Sequence, residues 1–162
     1  MKQPLPKLTG HRCFACGTEN PIGLNMNFYR EGNRICSDIT LSEDYVGWSR
    51  IAHGGIITTL LDEAMSWSLI ASGRLYFLTR EIKVKYLKPV YVGTPLKAWG
   101  EVKDADRTSS IKMTGGLEDQ SGTTLARSEG LFAELPKEKL PFLPEDLVRD
   151  METLYCTFPR NP

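Results

Sequence analysis

Apolar and polar residues alternate along the early part of the chain. In residues 24–29 every second position, beginning at Leu24, is apolar, and a similar period returns in residues 35–41, beginning at Ile35. A period of two places the apolar side chains on one face of an extended strand. The turn-forming residues Glu31-Gly-Asn-Arg34 separate the two segments. The pattern therefore predicts a β-hairpin.

The spacing becomes helical after a pair of glycines at positions 54 and 55. Apolar residues recur three and four positions apart from Ile56 to Leu69, which predicts a helix over residues 55–71. Because they cover much of the helix circumference, we expect this helix to be buried on several sides. Ser72-Gly73 is a suitable C-terminal stop.

The rest of the chain returns to strand patterns. Turn residues separate four strand-like segments at about 75–88, 95–104, 108–118 and 122–134, and a short helix is predicted at 144–154, after Pro144. Two strands, one long helix and four further strands predict an α+β fold, in which an antiparallel sheet of five or six strands wraps around one central helix. Such a sheet leaves edges exposed, so we expect at least a homodimer.

Composition narrows the classes of function. The 162 residues fit one domain, with a turn-rich N-terminal segment (1–23), a main domain (24–135) and a C-terminal tail with a short helix (136–162). Basic and acidic residues number 20 each, which argues against a nucleic-acid or membrane-surface partner. No apolar run approaches the roughly 20 residues of a membrane span, and the N-terminus lacks the apolar core of a signal peptide. With four cysteines and no secretion signal, we expect a cytoplasmic protein with reduced thiols.

The start of the predicted helix carries the most distinctive candidate chemistry. His53-Gly54-Gly55 runs directly into the helical pattern, and Asp62 falls about two turns inside it. The first backbone N–H groups of a helix have no internal partner and attract negative charge. A carboxylate inside the helix supplies an acid or base. Together they suit chemistry at a carbonyl, with donors for the oxygen and a carboxylate that handles water.

Other polar residues near this start have weaker claims. Glu63 lies about 100° around the helix from Asp62, so the two carboxylates cannot both point into one pocket. The alternative role for Glu63 is an ion pair across a subunit interface. His53 is expected to orient groups in the site. Thr79 must sit near the start of its strand to reach a pocket; otherwise it is an ordinary β-branched strand residue.

Cys13 and Cys16 have the spacing of half a zinc site. Zinc requires four ligands, and the remaining candidates, His11, Cys36 and Cys156, do not form a second close pair. We therefore expect a tight turn with buried thiols, and no metal.

Several motifs resemble the hotdog-fold acyl-CoA thioesterases, in particular the phenylacetate-type (PaaI-like) branch. The matching stretches are Cys13-Phe-Ala-Cys16-Gly17-Thr-Glu-Asn20-Pro21-Ile-Gly23-Leu24; Trp48-Ser-Arg-Ile-Ala-His53-Gly54-Gly55 with Leu-Leu-Asp62-Glu63-Ala64-Met65; Thr79 with Val84-Lys-Tyr86-Leu-Lys-Pro89-Val90; and the turns Gly93-Thr-Pro95-Leu and Asp119-Gln-Ser-Gly122. The resemblance spans roughly residues 13–134. It implies a thioesterase fold, a homodimer or a dimer of dimers, and active sites shared between two protomers.

The resemblance also implies roles for individual residues. Asp62 stands at the catalytic carboxylate, nine residues after His53. Gly54 stands at the residue whose backbone N–H polarises the thioester carbonyl, with the His53 side chain beside it, and Thr79 at the residue that helps to place the water. The sequence departs from many close relatives at Gly47, where they have an asparagine.

We therefore predict an acyl-CoA thioesterase that releases a carboxylic acid and free coenzyme A, without a metal or cofactor. Asp62, Gly54, His53 and Thr79 are the expected catalytic residues. The expected substrate-binding residues are Gly55, Trp48, Glu63 and Arg50. Two alternatives remain open: a non-catalytic acyl-CoA binder, and a hydratase or dehydratase of acyl thioesters on the same fold.

Overall fold

The computed structural model describes residues 2–104, 110–139 and 141–158. In chain order the elements are β1 (Gln3–Pro4), β2 (Tyr29–Glu31), β3 (Arg34–Thr40), β4 (Val46–Trp48), β5 (Ile51–Ala52), α1 (Gly54–Ala71), β6 (Phe77–Tyr86), β7 (Pro95–Asp104), β8 (Ser110–Asp119), β9 (Thr124–Glu134) and α2 (Glu145–Cys156). Short 3₁₀ turns occupy Glu43–Tyr45 and Lys137–Lys139.

Seven strands form one antiparallel sheet in the order β1-β2-β3-β7-β8-β9-β6, and β4 and β5 form a separate small hairpin. The predicted α+β class, with an antiparallel sheet and one main helix, is confirmed. The sheet has one strand more than the expected upper limit, because the two-residue β1 pairs with β2 at its edge. The opposite edge is β6, which pairs only with β9 within the described part of the chain.

The first predicted strand is much shorter than its sequence pattern. It begins at Tyr29, although Leu24, Met26 and Phe28 are buried as the alternation requires. The N–H groups of Leu24 and Met26 donate to the carbonyls of Phe14 and Ala15, at 2.8 and 2.9 Å. The alternation therefore reported burial correctly, but these residues hydrogen-bond the N-terminal segment instead of extending the hairpin.

Helix α1 lies against the inner face of the sheet and contacts β3, β6, β7, β8 and β9. Its buried residues include Leu60, Leu61 and Ala64. At Gly100 of β7 the sheet approaches the helix so closely that an added Cβ would lie 2.4 Å from the carbonyl oxygen of Ala64. A side chain at this position would push helix and sheet apart, so the glycine sets how deeply the helix sits.

The other predicted elements agree with the structure to within a few residues. The predicted C-terminal helix is present as α2, with Pro144 as its N-cap. The turn expected at residues 104–107 falls mostly outside the described residues. Neither helix in the described ranges has the length and apolar character needed to cross a bilayer.

Candidate functional site

The N-terminus of α1 is held in place by backbone hydrogen bonds from both sides. The N–H of Ala52 in β5 donates to the carbonyl of Val90, and the N–H of His53 donates to that of Tyr45, each at 2.8 Å. His53 is the N-cap, and its Nδ1 accepts a hydrogen bond from the N–H of Gly55 at 3.0 Å. Among the described residues, no group accepts a hydrogen bond from the N–H of Gly54. The helix therefore presents one fixed and unused donor.

Tyr86 packs directly on Gly54, a contact that the sequence analysis did not identify. Its hydroxyl donates to the carbonyl of Gly54 at 2.9 Å and lies 2.8 Å from Thr58 Oγ1. A Cβ at position 54 would meet the Tyr86 hydroxyl at 3.3 Å. The two residues are far apart in the sequence and join only because β6 runs past the helix start, so no local pattern indicated this pair.

An open cleft of about 650 Å³ lies in front of this helix start. Its lining comes from β5, the first turn of α1, the end of β6 and the segment after it, and it includes His53, Gly54, Gly55, Tyr86 and Pro89. The unused N–H of Gly54 therefore belongs to a residue that lines an accessible concave surface. This is the geometry required to hold an oxygen that gains negative charge.

The β4–β5 hairpin stands beside the cleft. Trp48 is 82% exposed and Arg50 is also exposed, and neither lines the cleft itself. Gly47 lies against His53, and a Cβ at this position would come within 2.9 Å of the His53 Cα. The absence of a side chain at Gly47 therefore leaves room for the backbone of the helix N-cap.

Asp62 lies two turns further along α1 and faces β6. Its Oδ1 accepts a hydrogen bond from Thr79 Oγ1 at 2.9 Å, which is its one hydrogen bond among the described residues. Burial raises the pKa of Asp62 above its ordinary value, and the hydrogen bond from Thr79 opposes the rise. The structure thus brings together the two residues that the sequence assigned to the handling of water.

Asp62 and Gly54 do not meet within one chain. Asp62 is eight positions after Gly54, which corresponds to about 12 Å along the helix axis. The predicted residues therefore form two groups in one protomer: His53, Gly54 and Gly55 at the helix start, and Asp62 with Thr79 in its middle. Within one chain the two groups are therefore too far apart to contact the same carbonyl group.

Glu63 has a different environment from Asp62, as the angular separation around the helix predicted. Its Oε1 accepts a hydrogen bond from Trp67 Nε1 at 3.1 Å and lies 4.0 Å from the sulfur of Cys13. Burial raises the pKa of Glu63 to about 7. This carboxylate contacts the N-terminal segment, which favours a role there over contact with a substrate.

The Cys13–Cys16 turn packs on the same face of α1. Cys16 and Ala15 are buried, and the N–H of Cys16 points at Cys13 Sγ, 3.5 Å away. The hydrogen bond between the two thiols lowers the pKa of Cys13 and raises that of Cys16. The ligand atoms of Cys13, Cys16 and Glu63 all lie within 4.8 Å of one another. The sequence analysis missed this grouping because it considered only cysteines and histidines as partners.

A long antiparallel sheet around one central helix, with an open donor at the helix start and a carboxylate inside it, is the arrangement of hotdog-fold thioesterases. Residues 50–126, which include α1 and most of the sheet, match the family model described as the thioesterase superfamily. The resemblance inferred from the sequence motifs is therefore confirmed, and the chain has the hotdog fold.

Solved structures with this fold come from bacteria and from zebra fish. A thioesterase superfamily protein superposes with a TM-score of 0.66 at 24% identity, over 71% of this chain and 56% of its own length. The PaaI protein of the phenylacetic acid degradation operon of E. coli gives 0.62 at 18% identity, over 70% and 81% of the two chains. A hypothetical thioesterase from Streptococcus pneumoniae, solved with coenzyme A, gives 0.61 at 20% identity, over 68% and 86%.

These identities establish a shared fold and leave the reaction to be argued from the residues. This chain spans just over half the length of the first of the three proteins. No curated protein sequence matches it.

Proposed function

We propose that this protein is an acyl-CoA thioesterase, which hydrolyses a thioester to a carboxylic acid and free coenzyme A. The observation that carries the proposal is the pair of Asp62 and Thr79, joined at 2.9 Å on the central helix and strand β6. A half-buried carboxylate with a raised pKa is suited to accept a proton from water. A protein that only binds acyl-CoA has no need of it, so the pair favours an enzyme. The coenzyme A in the Streptococcus pneumoniae relative supports the same substrate class.

The N–H of Gly54 is proposed to donate to the carbonyl oxygen of the thioester. The group already points away from the helix at its positive end, and it has no competing acceptor among the described residues. Its hydrogen bond strengthens as the oxygen becomes an oxyanion in the transition state. Such a donor is typically worth about 2.7–4 kcal/mol of transition-state stabilisation.

Asp62 is proposed to activate the attacking water. The hydroxyl of Thr79 donates to Oδ1, so its oxygen can accept a hydrogen bond from the same water that Asp62 deprotonates. The proton passes from water to the carboxylate, the hydroxide oxygen bonds to the carbonyl carbon, and the thiolate of coenzyme A leaves and is protonated. Direct attack by Asp62 through an anhydride is the alternative course. A single turnover in ¹⁸O-labelled water distinguishes the two: direct attack by water places one ¹⁸O in the acid, whereas an anhydride opened at the Asp62 carboxyl carbon gives an acid without ¹⁸O and leaves the label in Asp62.

We propose that one active site takes Gly54 from one protomer and Asp62 from another, in a homodimer or a dimer of dimers. The separation of about 12 Å within one chain is the first reason. The second is strand β6, an edge strand whose outer hydrogen-bonding groups have no partner in the described chain. It also carries exposed apolar side chains, with Leu78 56% and Tyr86 52% exposed. A second copy that covers this surface completes the sheet edge and the site together.

The remaining proposals concern contacts with coenzyme A and the cellular compartment of the protein. Arg50 on the exposed β4–β5 hairpin is proposed to meet a phosphate of coenzyme A, and Trp48 and Gly55 to contact the ligand near the cleft. All four cysteines are free, which supports a reducing, cytoplasmic location.

A panel of acyl-CoAs, assayed by release of free thiol, tests the proposal. At least one member should be hydrolysed, and Asp62→Asn should lower that rate by about 10²–10⁴-fold, the usual span for loss of a general base. Glu63→Gln removes the neighbouring carboxylate on a different face of the helix and should keep most of the activity. Asp62→Asn at the parental rate would show that the carboxylate is structural. Binding of acyl-CoA without any thiol release would indicate a binding protein, and hydration of an enoyl-CoA would indicate a hydratase.

A further inference from the structure

A cluster of three potential ligands lies apart from the proposed active site, where the N-terminal segment packs on α1. We infer that Cys13, Cys16 and Glu63 form a binding site for a divalent cation that prefers thiolates, with zinc as the ordinary case. The bound ion would fasten the N-terminal segment to the central helix. The sequence alone argued against a metal, because it offered no second close pair of cysteines or histidines. The structure changes that argument by supplying a carboxylate from α1.

The distances between the ligand atoms are close to those around a bound ion. The three atoms lie within 4.8 Å of one another, and Cys13 Sγ is 4.0 Å from Glu63 Oε1. With Zn–S near 2.3 Å and Zn–O near 2.0–2.2 Å, the ligand atoms of a tetrahedral zinc lie about 3.3–3.8 Å apart. A closure of about 1 Å or less, available from side-chain rotation, therefore brings the three atoms to coordination distance.

The backbone of the turn is already shaped to hold two sulfurs on one side. The N–H of Gly17 donates to the carbonyl of Cys13 at 2.9 Å, and the N–H of Cys16 points at Cys13 Sγ. A Cβ at Gly17 would lie 2.5 Å from the Cys13 carbonyl oxygen, so only glycine permits so tight a turn. N–H groups directed at a sulfur stabilise its charged, metal-binding form.

Glu63 is oriented toward the sulfurs by a second contact. The indole Nε1 of Trp67, one helical turn away, donates to Oε1 at 3.1 Å, and Trp67 itself is almost fully buried. In an apolar environment, one indole and two thiols compensate the negative charge of a carboxylate poorly. A cation between the three groups would supply the missing compensation, and the indole is the kind of outer partner that orients metal ligands.

The surrounding charges suit a divalent ion. Two thiolates and one carboxylate carry three negative charges, and a divalent cation neutralises two of them. Lys7, held by Asn25 Oδ1 at 2.6 Å and the Met26 carbonyl at 3.0 Å, lies near enough to interact with all three groups and offsets the third. The fourth coordination position falls to water. Binding releases the thiol protons to solvent.

Metal content and cobalt titration of the full-length protein test the site. After expression with zinc and purification under reducing conditions, elemental analysis should find about one zinc per chain. Titration of the reduced, metal-free protein with cobalt should give sulfur-to-cobalt charge-transfer absorption and protect two thiols from a thiol reagent. Cys13→Ser should abolish the absorption, and Glu63→Gln should weaken cobalt binding by about tenfold or more. Cys156→Ser, at an exposed cysteine of α2, is the matched control and should bind as the parent does.

Each result decides for or against the site. If Cys13→Ser does not fold, the cobalt spectrum and thiol protection of the parent protein still provide the test. Absence of zinc together with absence of the charge-transfer band would overturn the inference. Cobalt binding that Glu63→Gln leaves unchanged would overturn the ligand set. A Cys13–Cys16 disulfide whose reduced form takes up no metal would show that the turn is a redox pair instead.

Discussion

The proposed oxyanion donor can be removed with little other change to the structure, by Gly54→Pro. Gly54 is the first residue of α1, a position at which proline is favoured because its missing N–H has no partner inside the helix. The preceding residue, His53, has φ −61° and ψ 134°, which is the extended conformation that proline requires before it. The substitution therefore removes the N–H while the helix keeps its hydrogen bonds.

Gly54→Ala is the control for the added side chain. Both variants carry a Cβ that meets the Tyr86 hydroxyl at 3.3 Å, a contact that a shift of a few tenths of an ångström at the end of this side chain relieves. Steric effects at this contact are thus common to both variants. A difference in activity between the two variants therefore reports chiefly on the loss of the N–H and on the proline ring atom that takes its place.

We expect Gly54→Pro to have a kcat about 10²–10³-fold below that of Gly54→Ala, which corresponds to about 2.7–4 kcal/mol of transition-state stabilisation. KM should change much less, because the hydrogen bond strengthens mainly in the transition state. Steady-state kinetics on the best acyl-CoA of the panel, with circular dichroism and melting curves for both variants, provide the measurement. A folded Gly54→Pro protein with the kcat of Gly54→Ala would refute the assignment of the oxyanion donor.

Further predictions concern the carboxylate, its hydroxyl partner and the assembly. Because burial raises the pKa of Asp62, kcat/KM should fall as the pH drops through an apparent pKa above the ordinary range of aspartate, and a pH–rate profile without this acidic limb would contradict a role as base. The protonated form of such a group stabilises the fold, and this stabilisation is lost as the pH rises through the folded-state pKa. Asp62→Asn should therefore melt at the same or a higher temperature than the parent near pH 8, with the difference vanishing at acidic pH; a lower melting temperature near pH 8 would refute this. Thr79→Val removes the hydrogen bond that favours the ionised carboxylate, so the acidic limb should move to higher pH, whereas an unmoved limb would show that the bond does not affect Asp62. Mixing Asp62→Asn chains with Gly54→Pro chains should restore activity to roughly a quarter of the parent level, since random pairing gives half heterodimers with one intact site each; no gain after verified subunit exchange would place each site within a single chain.

The sequence by itself determined the elements and their burial. At the glycine pair the apolar residues stop recurring at every second position and begin to recur three and four positions apart. This change located the start of α1 to within one residue. The turns then separated the strands. These features are local, because hydrophobic spacing and turn residues act within a few positions of the chain. The same locality explains the shortened first strand, since alternation records which side chains are buried and not which backbone groups are paired.

The tertiary structure decided which residues meet. The pairs of Asp62 with Thr79 and of Gly54 with Tyr86 depend on how β6 passes the helix. The approach of Glu63 to Cys13 and Cys16 depends on how the N-terminal segment folds back onto α1. The motif resemblance placed Thr79 near the water, but neither spacing nor composition indicated Tyr86 or linked Glu63 to the cysteines. Contacts between distant segments follow from the packing of the whole core, which no local period encodes, and they carry the chemistry of both proposed sites.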